Sequence, residues 1–124
     1  MLNIIAMEFT EHKKGSELII ELTSDDVIID DEQQALEIIA NISYLYDSHK
    51  IILHTKNLND DFFDLKSGLA GGVLQKFSNY RARLVIVGDI SQYSSKSLKE
   101  FVLESNKGRL VNFLPDVSTA LKAF

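Results

Sequence analysis

The side chains in this sequence that could take part in chemistry lie in a few short segments. Three histidines, His12, His49 and His54, are scattered along the chain, and no two of them stand at a spacing typical of metal ligands. The chain also has no cysteine, so we expect neither a metal site nor a cofactor. Only His54 remains a candidate base, because it ends a predicted strand shortly before Asp60 and Asp61, which could orient it.

The loop after the fourth predicted strand is a candidate ligand site. Asp89 ends that strand, and further polar residues follow it, namely Ser91, Tyr93, Ser95 and Lys96. Open α/β sheets bind ligands at the carboxyl ends of their strands, so this loop, together with His54, could bind a small molecule or form an active site. A plain turn at Asp89 and a helix cap at Ser95 would account for the same residues without a ligand.

A third candidate segment combines acidic, aromatic and basic residues just before a predicted helix. The residues that could contact a partner protein are Asp61, Phe62, Phe63, Asp64, Lys66 and Gly68, and they surround Ser67. A serine at a helix start can cap free backbone N–H groups, and a phosphate there would gain from the same groups and from the helix dipole. Ser67 is therefore either a plain N-cap or a phosphate acceptor. The aspartates favour the positive end of the helix without any metal.

Composition places these segments in one soluble globular domain over residues 1–124. The chain has 13 Lys and Arg against 18 Asp and Glu, a formal net charge of −5, and 45% hydrophobic residues. The excess of acid argues against a nucleic-acid partner. The start of the sequence has no basic region of the kind that opens a signal peptide, and no apolar run approaches the ~20 residues of a membrane span. We therefore expect a cytoplasmic protein without a membrane partner.

The hydrophobic pattern alternates between strand and helix periods along the chain. It predicts strands at residues 2–9, 16–23, 50–55, 83–89 and 110–114, with a polar turn at 11–15 that contains His12. It predicts a helix that begins with a capping box from Asp30 to Gln33, and further helices at 67–78, 95–106 and 117–124. The predicted fold class is α/β: a mixed, mostly parallel sheet of about five strands with an N-terminal β-hairpin and about four helices.

Several stretches together resemble a known family: residues 61–71, 74–81, 87–89, 94–98 and 105–109. They are similar to a small bacterial family known as a domain of unknown function, number 4180. The resemblance covers most of the chain and implies no activity. Gly72 departs from the family pattern, in which a helix former is expected, and each glycine inside a helix costs about 1 kcal/mol relative to alanine. We therefore expect this helix to be looser.

The order of elements is also similar to that of the STAS fold, the domain of sulfate transporters and anti-sigma factor antagonists. In that family a phosphorylatable serine begins the helix after the third strand, within an Asp-Ser-Ser-Gly-Leu turn. The matching segment here runs from Asp64 to Leu69, with one extra residue between the aspartate and the serine–glycine pair. The resemblance implies that Ser67 is the phosphate acceptor and that Gly68 is the glycine of the turn.

These observations lead to one favoured function and two alternatives. We expect a non-catalytic regulatory domain that binds another protein, with Phe62 or Phe63 as an apolar anchor wherever one is exposed, and with Ser67 as its switch. The first alternative is a small-molecule-binding protein or an enzyme that uses the loop after the fourth strand. The second is a homo-oligomer joined through the hairpin at residues 2–23. Exposed side chains of Phe62 and Phe63 would favour the protein-binding function. A closed polar pocket around Asp89 would favour ligand binding.

Overall fold

Strands and α-helices alternate along residues 7–124, which are the residues that the computed structural model describes. In chain order they are β1 (Glu8–Lys14), β2 (Glu17–Thr23), α1 (Glu32–Tyr46), β3 (Lys50–His54), α2 (Leu69–Asn79), β4 (Arg83–Val87), α3 (Lys96–Lys107), β5 (Val111–Leu114) and α4 (Val117–Ala123). This order and the α/β class confirm the prediction from the sequence. Residues 2–6 of the first predicted strand lie outside the described residues.

The strands form one sheet in the order β1-β2-β3-β4-β5. The hairpin strands β1 and β2 are antiparallel, and each later strand pairs in parallel with its neighbour. The expected turn at residues 11–15 is wrong in its bounds, because β1 continues to Lys14, which pairs with Glu17. Gly15, with φ of 63°, reverses the chain within two residues, and an edge strand tolerates the exposed charges at 11–14. His12 therefore lies in a strand.

Helices α1, α2 and α3 cover one face of the sheet and bury the main core. The apolar stripe of α1 meets this core through Ala35, Ile38, Ile39 and Ile42, as its spacing predicts. Its capping box lies one residue later than expected. Asp31 Oδ1 accepts the Gln34 N–H at 2.9 Å, and Gln34 Oε1 accepts the Asp31 N–H at 3.3 Å.

Helix α4 packs on the opposite face of the sheet. Its Ala120 contacts a second, smaller cluster that includes Ile19, Ile52, Val85 and Val87. Two basic side chains complete the packing at its end: Lys14 Nζ donates to the carbonyl oxygen of Leu121 at 3.0 Å, and the Arg83 guanidinium lies 5.0 Å from the centre of the Phe124 ring.

Gly72 has a packing role that the sequence alone does not reveal. Glu32 is the first residue of α1, and its side chain lies against α2. A Cβ atom on Gly72 would collide with the Glu32 carboxylate. The carboxylate of Glu32 also lies 3.9 Å from the Nζ of Lys76, which lies on α2 with Gly72. In contrast, a Cβ atom on Gly71 would meet nothing within 4 Å. The two adjacent glycines are therefore not equivalent.

We predict that Gly71→Ala raises the free energy of unfolding by about 0.5–1 kcal/mol, because alanine restricts the unfolded chain and favours the helix. Gly72→Ala should gain less or lose stability, because Glu32 must move away from Lys76. Urea unfolding of both variants measures the difference. Equal gains in the two variants would show that Glu32 does not restrain position 72.

Candidate functional site

The loops that follow β2 and β3 are joined by one buried side chain, Asn57. It ends a 3-10 turn, Thr55–Asn57, and is fully buried. Its Nδ2 donates to the carbonyl oxygens of Ser24 and Asp26, both at 2.8 Å, and its backbone carbonyl accepts the Ile28 N–H at 2.8 Å. Sequence reasoning missed Asn57, since an asparagine after a strand is common in any turn. The bonds fix the position of the loop after β2 at the carboxyl edge of the sheet.

A cavity of about 340 Å³ lies at this edge, between the loops after β2, β3 and β4. It is lined by Val27, Thr55, Lys56, Leu58, Asn59, Asp60, Asp89, Gln92 and Tyr93. Its volume lies at the small end of the range of ligand sites, roughly 300–1,000 Å³. Of the ligand-loop residues predicted from the sequence, Asp89 and Tyr93 line the cavity. His54, Ser91, Ser95 and Lys96 do not line it.

Hydrogen bonds hold two of the acidic groups of this cavity. The Tyr93 hydroxyl donates to Asp60 Oδ1 at 2.7 Å, and its ring stacks on Phe63 with the ring centres 4.4 Å apart. Burial raises the pKa of Tyr93, and the bond to Asp60 raises it further, so the phenol stays protonated and donates. Asp89 Oδ1 accepts the Ser91 N–H at 2.8 Å, and this bond lowers the pKa of Asp89. Both carboxylates are thus held as hydrogen-bond acceptors.

Two further 3-10 turns, Asp60–Phe63 and Leu65–Ser67, lead into α2. Ser67 ends the second of them, one residue before the N-cap of α2. Its exposed hydroxyl donates to the Asp61 carbonyl oxygen at 2.5 Å, and its Oγ accepts the Leu69 N–H at 3.2 Å. The helix begins at Leu69, two residues later than predicted, and its N-cap is Gly68, with φ of 82° and no side chain to cap the first turn. Ser67 therefore links the turn at Asp60–Phe63 to the start of the helix.

The structure corrects the proposed apolar anchor. Phe62 and Phe63 are buried, with 0% and 2% of their surfaces exposed. Their rings pack edge to face with centres 5.2 Å apart, and Phe62 also lies 6.5 Å from Phe113 of β5. The two rings therefore anchor this segment to the core instead of offering an apolar surface. The other residues of the predicted surface are exposed: Asp61, Asp64, Lys66 and Gly68.

A carboxylate between two imidazoles lies on the sheet face that carries α4. Glu21 of β2 is 9% exposed, and its Oε1 lies 2.8 Å from His12 Nε2 of β1 while its Oε2 lies 2.7 Å from His54 Nε2. Burial acts to raise the pKa of Glu21, but the hydrogen bonds from both histidines outweigh it and lower the pKa. His54 is thus bonded to Glu21, and no hydrogen bond to Asp60 or Asp61 is found among the described residues. The strand register that creates this cluster could not be read from local sequence.

Residues 7–124 contain neither a cluster of metal-binding side chains nor a membrane-spanning helix. No group of three or more histidine and acidic side chains there is arranged to hold a metal ion. No helix in that range combines the length and the apolar character that a membrane crossing needs.

We predict that Asn57→Ala lowers the free energy of unfolding by about 2–3 kcal/mol, because it leaves the buried carbonyl of Ser24 and the part-buried carbonyl of Asp26 without their donor. The exposed Asn79→Ala is the matched control and should change stability by less than about 0.5 kcal/mol. Urea unfolding measures both. A similar loss in the two variants would mean that the buried amide does not hold the loops.

We predict that Glu21→Gln lowers stability by about 2 kcal/mol at neutral pH, because two charge-assisted hydrogen bonds lose their ionised acceptor. The folded pKa of Glu21 is lowered, so its contribution is present above the ordinary value of 4.5 and is lost as the pH falls through the folded pKa. The stability difference between wild type and variant should therefore shrink below pH 4.5. Urea unfolding across this range measures it, and Glu11→Gln, exposed on β1, is the control. A difference that does not depend on pH would contradict this role of Glu21.

Comparisons with known proteins identify the family of this chain. A search of curated proteins finds no match to the chain. Among solved structures, the chain is similar to a Thermotoga maritima protein described as a candidate anti-sigma factor antagonist, with 14% identity over 92% of each chain and a TM-score of 0.45. The model of the family described as domain of unknown function, DUF4180, matches residues 14–124, so the chain belongs to that family.

Proposed function

We propose that residues 1–124 form a single non-catalytic domain of the bacterial cytoplasm that regulates another protein by binding it. The binding surface is the exposed part of residues 60–70, and phosphorylation of Ser67 is the switch. The observation that carries this proposal is the pair of hydrogen bonds made by the Ser67 hydroxyl, to the Asp61 carbonyl and from the Leu69 N–H. A modification at this oxygen changes both bonds at once.

Phosphorylation would change the segment in two ways. A phosphate ester has no hydroxyl hydrogen on Oγ, so Ser67 could no longer donate to the Asp61 carbonyl. The group also adds nearly two negative charges close to Asp61 and Asp64, which would repel an acidic partner surface. Gly68 contributes no capping side chain at the start of α2, an 11-residue helix whose first N–H groups favour an anion. The modified side chain would therefore move from the Asp61 carbonyl towards the helix end.

The surface around Ser67 is polar, and two buried phenylalanines hold it against the core. Asp61, Asp64 and Lys66 are exposed, while the neighbouring rings of Phe62 and Phe63 are buried in the core. Contacts with a partner must then come mainly from charged and backbone groups, which determine specificity and the rate of association more than affinity. An added charge at Ser67 should therefore have a large effect on binding.

A non-catalytic role for Ser67 is supported by its surroundings. A serine nucleophile needs a base within hydrogen-bond reach. Among the described residues, no histidine bonds to Ser67, and His54 is occupied by Glu21 at 2.7 Å.

We predict that Ser67→Ala retains the partner and that Ser67→Asp weakens binding at least about tenfold, since charge repulsion of about 1.4 kcal/mol suffices. The baits are used to capture proteins from native lysate, mass spectrometry identifies what each retains, and the affinity for the purified partner is then measured. Ser97→Asp is the matched control, because it places the same charge on an exposed serine in the first turn of α3.

Three outcomes would contradict the proposal. Equal affinity of Ser67→Asp and Ser67→Ala would remove the switch, as would an equal loss in Ser97→Asp. Failure of every folded bait to retain a specific protein would count against the protein-binding role itself.

A further inference from the structure

Groups of opposite charge line the cavity at the carboxyl edge without pairing with each other. Lys56 lines the cavity from the 3-10 turn Thr55–Asn57. Asp60 lines it from the turn Asp60–Phe63, and Asp89 from the loop after β4. Within residues 7–124, no carboxylate oxygen lies within 4.0 Å of Lys56 Nζ. The two carboxylates likewise have no cationic partner there. Such a separation leaves room for a ligand that supplies both missing charges.

We propose that this cavity binds a small zwitterion, namely a free amino acid or a close derivative that keeps both its ammonium and its carboxylate. Lys56 binds the ligand carboxylate, and Asp89 binds the ligand ammonium. Val27 and Leu58 form the apolar part of the lining, where a ligand side chain can pack. This site shares Asp60 with the partner surface of residues 60–70, but its ligand binding does not depend on the function of that surface.

The charges of the lining select this class over others. A phosphate or a dicarboxylate would meet Lys56 but would be repelled by Asp60 and Asp89. A simple amine would satisfy the aspartates but would leave Lys56 without a counter-ion and close to another cation. Lys56, Asp60 and Asp89 are exposed side chains, so each of these repulsions is modest, but a ligand with both charges avoids all of them.

The cavity is built by contacts that exist before any ligand arrives. Asp60 is held by the Tyr93 hydroxyl and Asp89 by the Ser91 N–H. Gly88, with φ of 131°, allows Thr55 to lie so close that a Cβ atom at position 88 would collide with its hydroxyl. A site whose walls are fixed in this way loses less entropy when the ligand binds.

Lys56 also borders a smaller cleft, which contains two further carboxylates. This cleft has a volume of about 200 Å³ and includes Glu8 and Asp25 in its lining. Neither carboxylate comes within ion-pair distance of Lys56 in the described chain. They compete for the lysine only weakly, so the ligand carboxylate can take it.

The test is a thermal-unfolding screen of the full chain against the common free amino acids, each at millimolar concentration. We expect at least one to raise the Tm by about 10 °C when its concentration is about a hundredfold above its Kd. The methyl ester of that amino acid lacks the carboxylate, and its N-acetyl derivative lacks the ammonium, so neither should raise the Tm. Amide chemical shifts of the wild-type protein, recorded with the same amino acid, should change at residues 55–60 and 88–93.

Variants then assign the two charges. Lys56→Met and Asp89→Asn should each weaken binding of the amino acid at least about tenfold, whereas Lys13→Met, on the exposed edge strand, should leave it unchanged. Circular dichroism checks that each variant folds, and the wild-type chemical shifts locate the ligand if one does not. The proposal is overturned by the absence of any amino-acid effect, by equal binding of the ester or the N-acetyl derivative, by binding of inorganic phosphate alone, or by full affinity in Lys56→Met.

Discussion

The buried amide of Asn57 is the interaction on which the carboxyl edge of this protein depends. Burying a polar side chain is unfavourable unless it is hydrogen-bonded. The Nδ2 of Asn57 meets that condition by donating to the carbonyls of Ser24 and Asp26, while its buried Oδ1 has no partner among the described residues. These two acceptors belong to the loop after β2, while Asn57 belongs to the turn after β3. The same loop brings Val27 to the cavity, and the same turn brings Lys56. Without this amide the parallel strands would still pair and the bond from the Ile28 N–H to the Asn57 carbonyl would remain, but Ser24 and Asp26 would lose their link to the turn after β3.

The sequence predicts the architecture well because its information is periodic. Near-continuous apolar strands and helical stripes such as the one in α1 depend only on neighbours within a few residues, so the element order can be read directly. Exact boundaries depend on finer choices. Asp30 and Asp31 each precede a glutamine by three residues, so the local pattern offers two equivalent capping boxes. The observed box uses Asp31, and the Gln34 side chain reaches back to both Asp30 and Asp31 N–H groups.

The candidate site is predictable only where strand ends determine it. Asp89 could be placed at the cavity from sequence, because it directly follows a recognisable strand in a parallel sheet. Lys56 could not, since its position depends on a 3-10 turn that no periodicity marks. The cluster around Glu21 requires the register of three strands. The two-residue turn at Gly15 sets the register of β1 on β2, and the parallel pairing of β2 with β3 places His54. Phe62 packs near Phe113, and the elements α2, β4 and α3 separate these two residues along the chain. Local sequence therefore cannot predict this contact.

The proposed partner surface around Ser67 and the proposed ligand site at Asp89 share one element. The turn at Asp60–Phe63 supplies the carbonyl of Asp61 to Ser67 and the carboxylate of Asp60 to Tyr93. Phe63 stacks on the same tyrosine, so the turn is packed against both sites at once. Any change at Ser67 that moves this turn must then alter the position of Asp60 in the cavity. By thermodynamic linkage a ligand that binds Asp60 in one position of the turn would favour the matching state of Ser67 to the same extent. Coupling between the two sites therefore requires no path longer than this single turn.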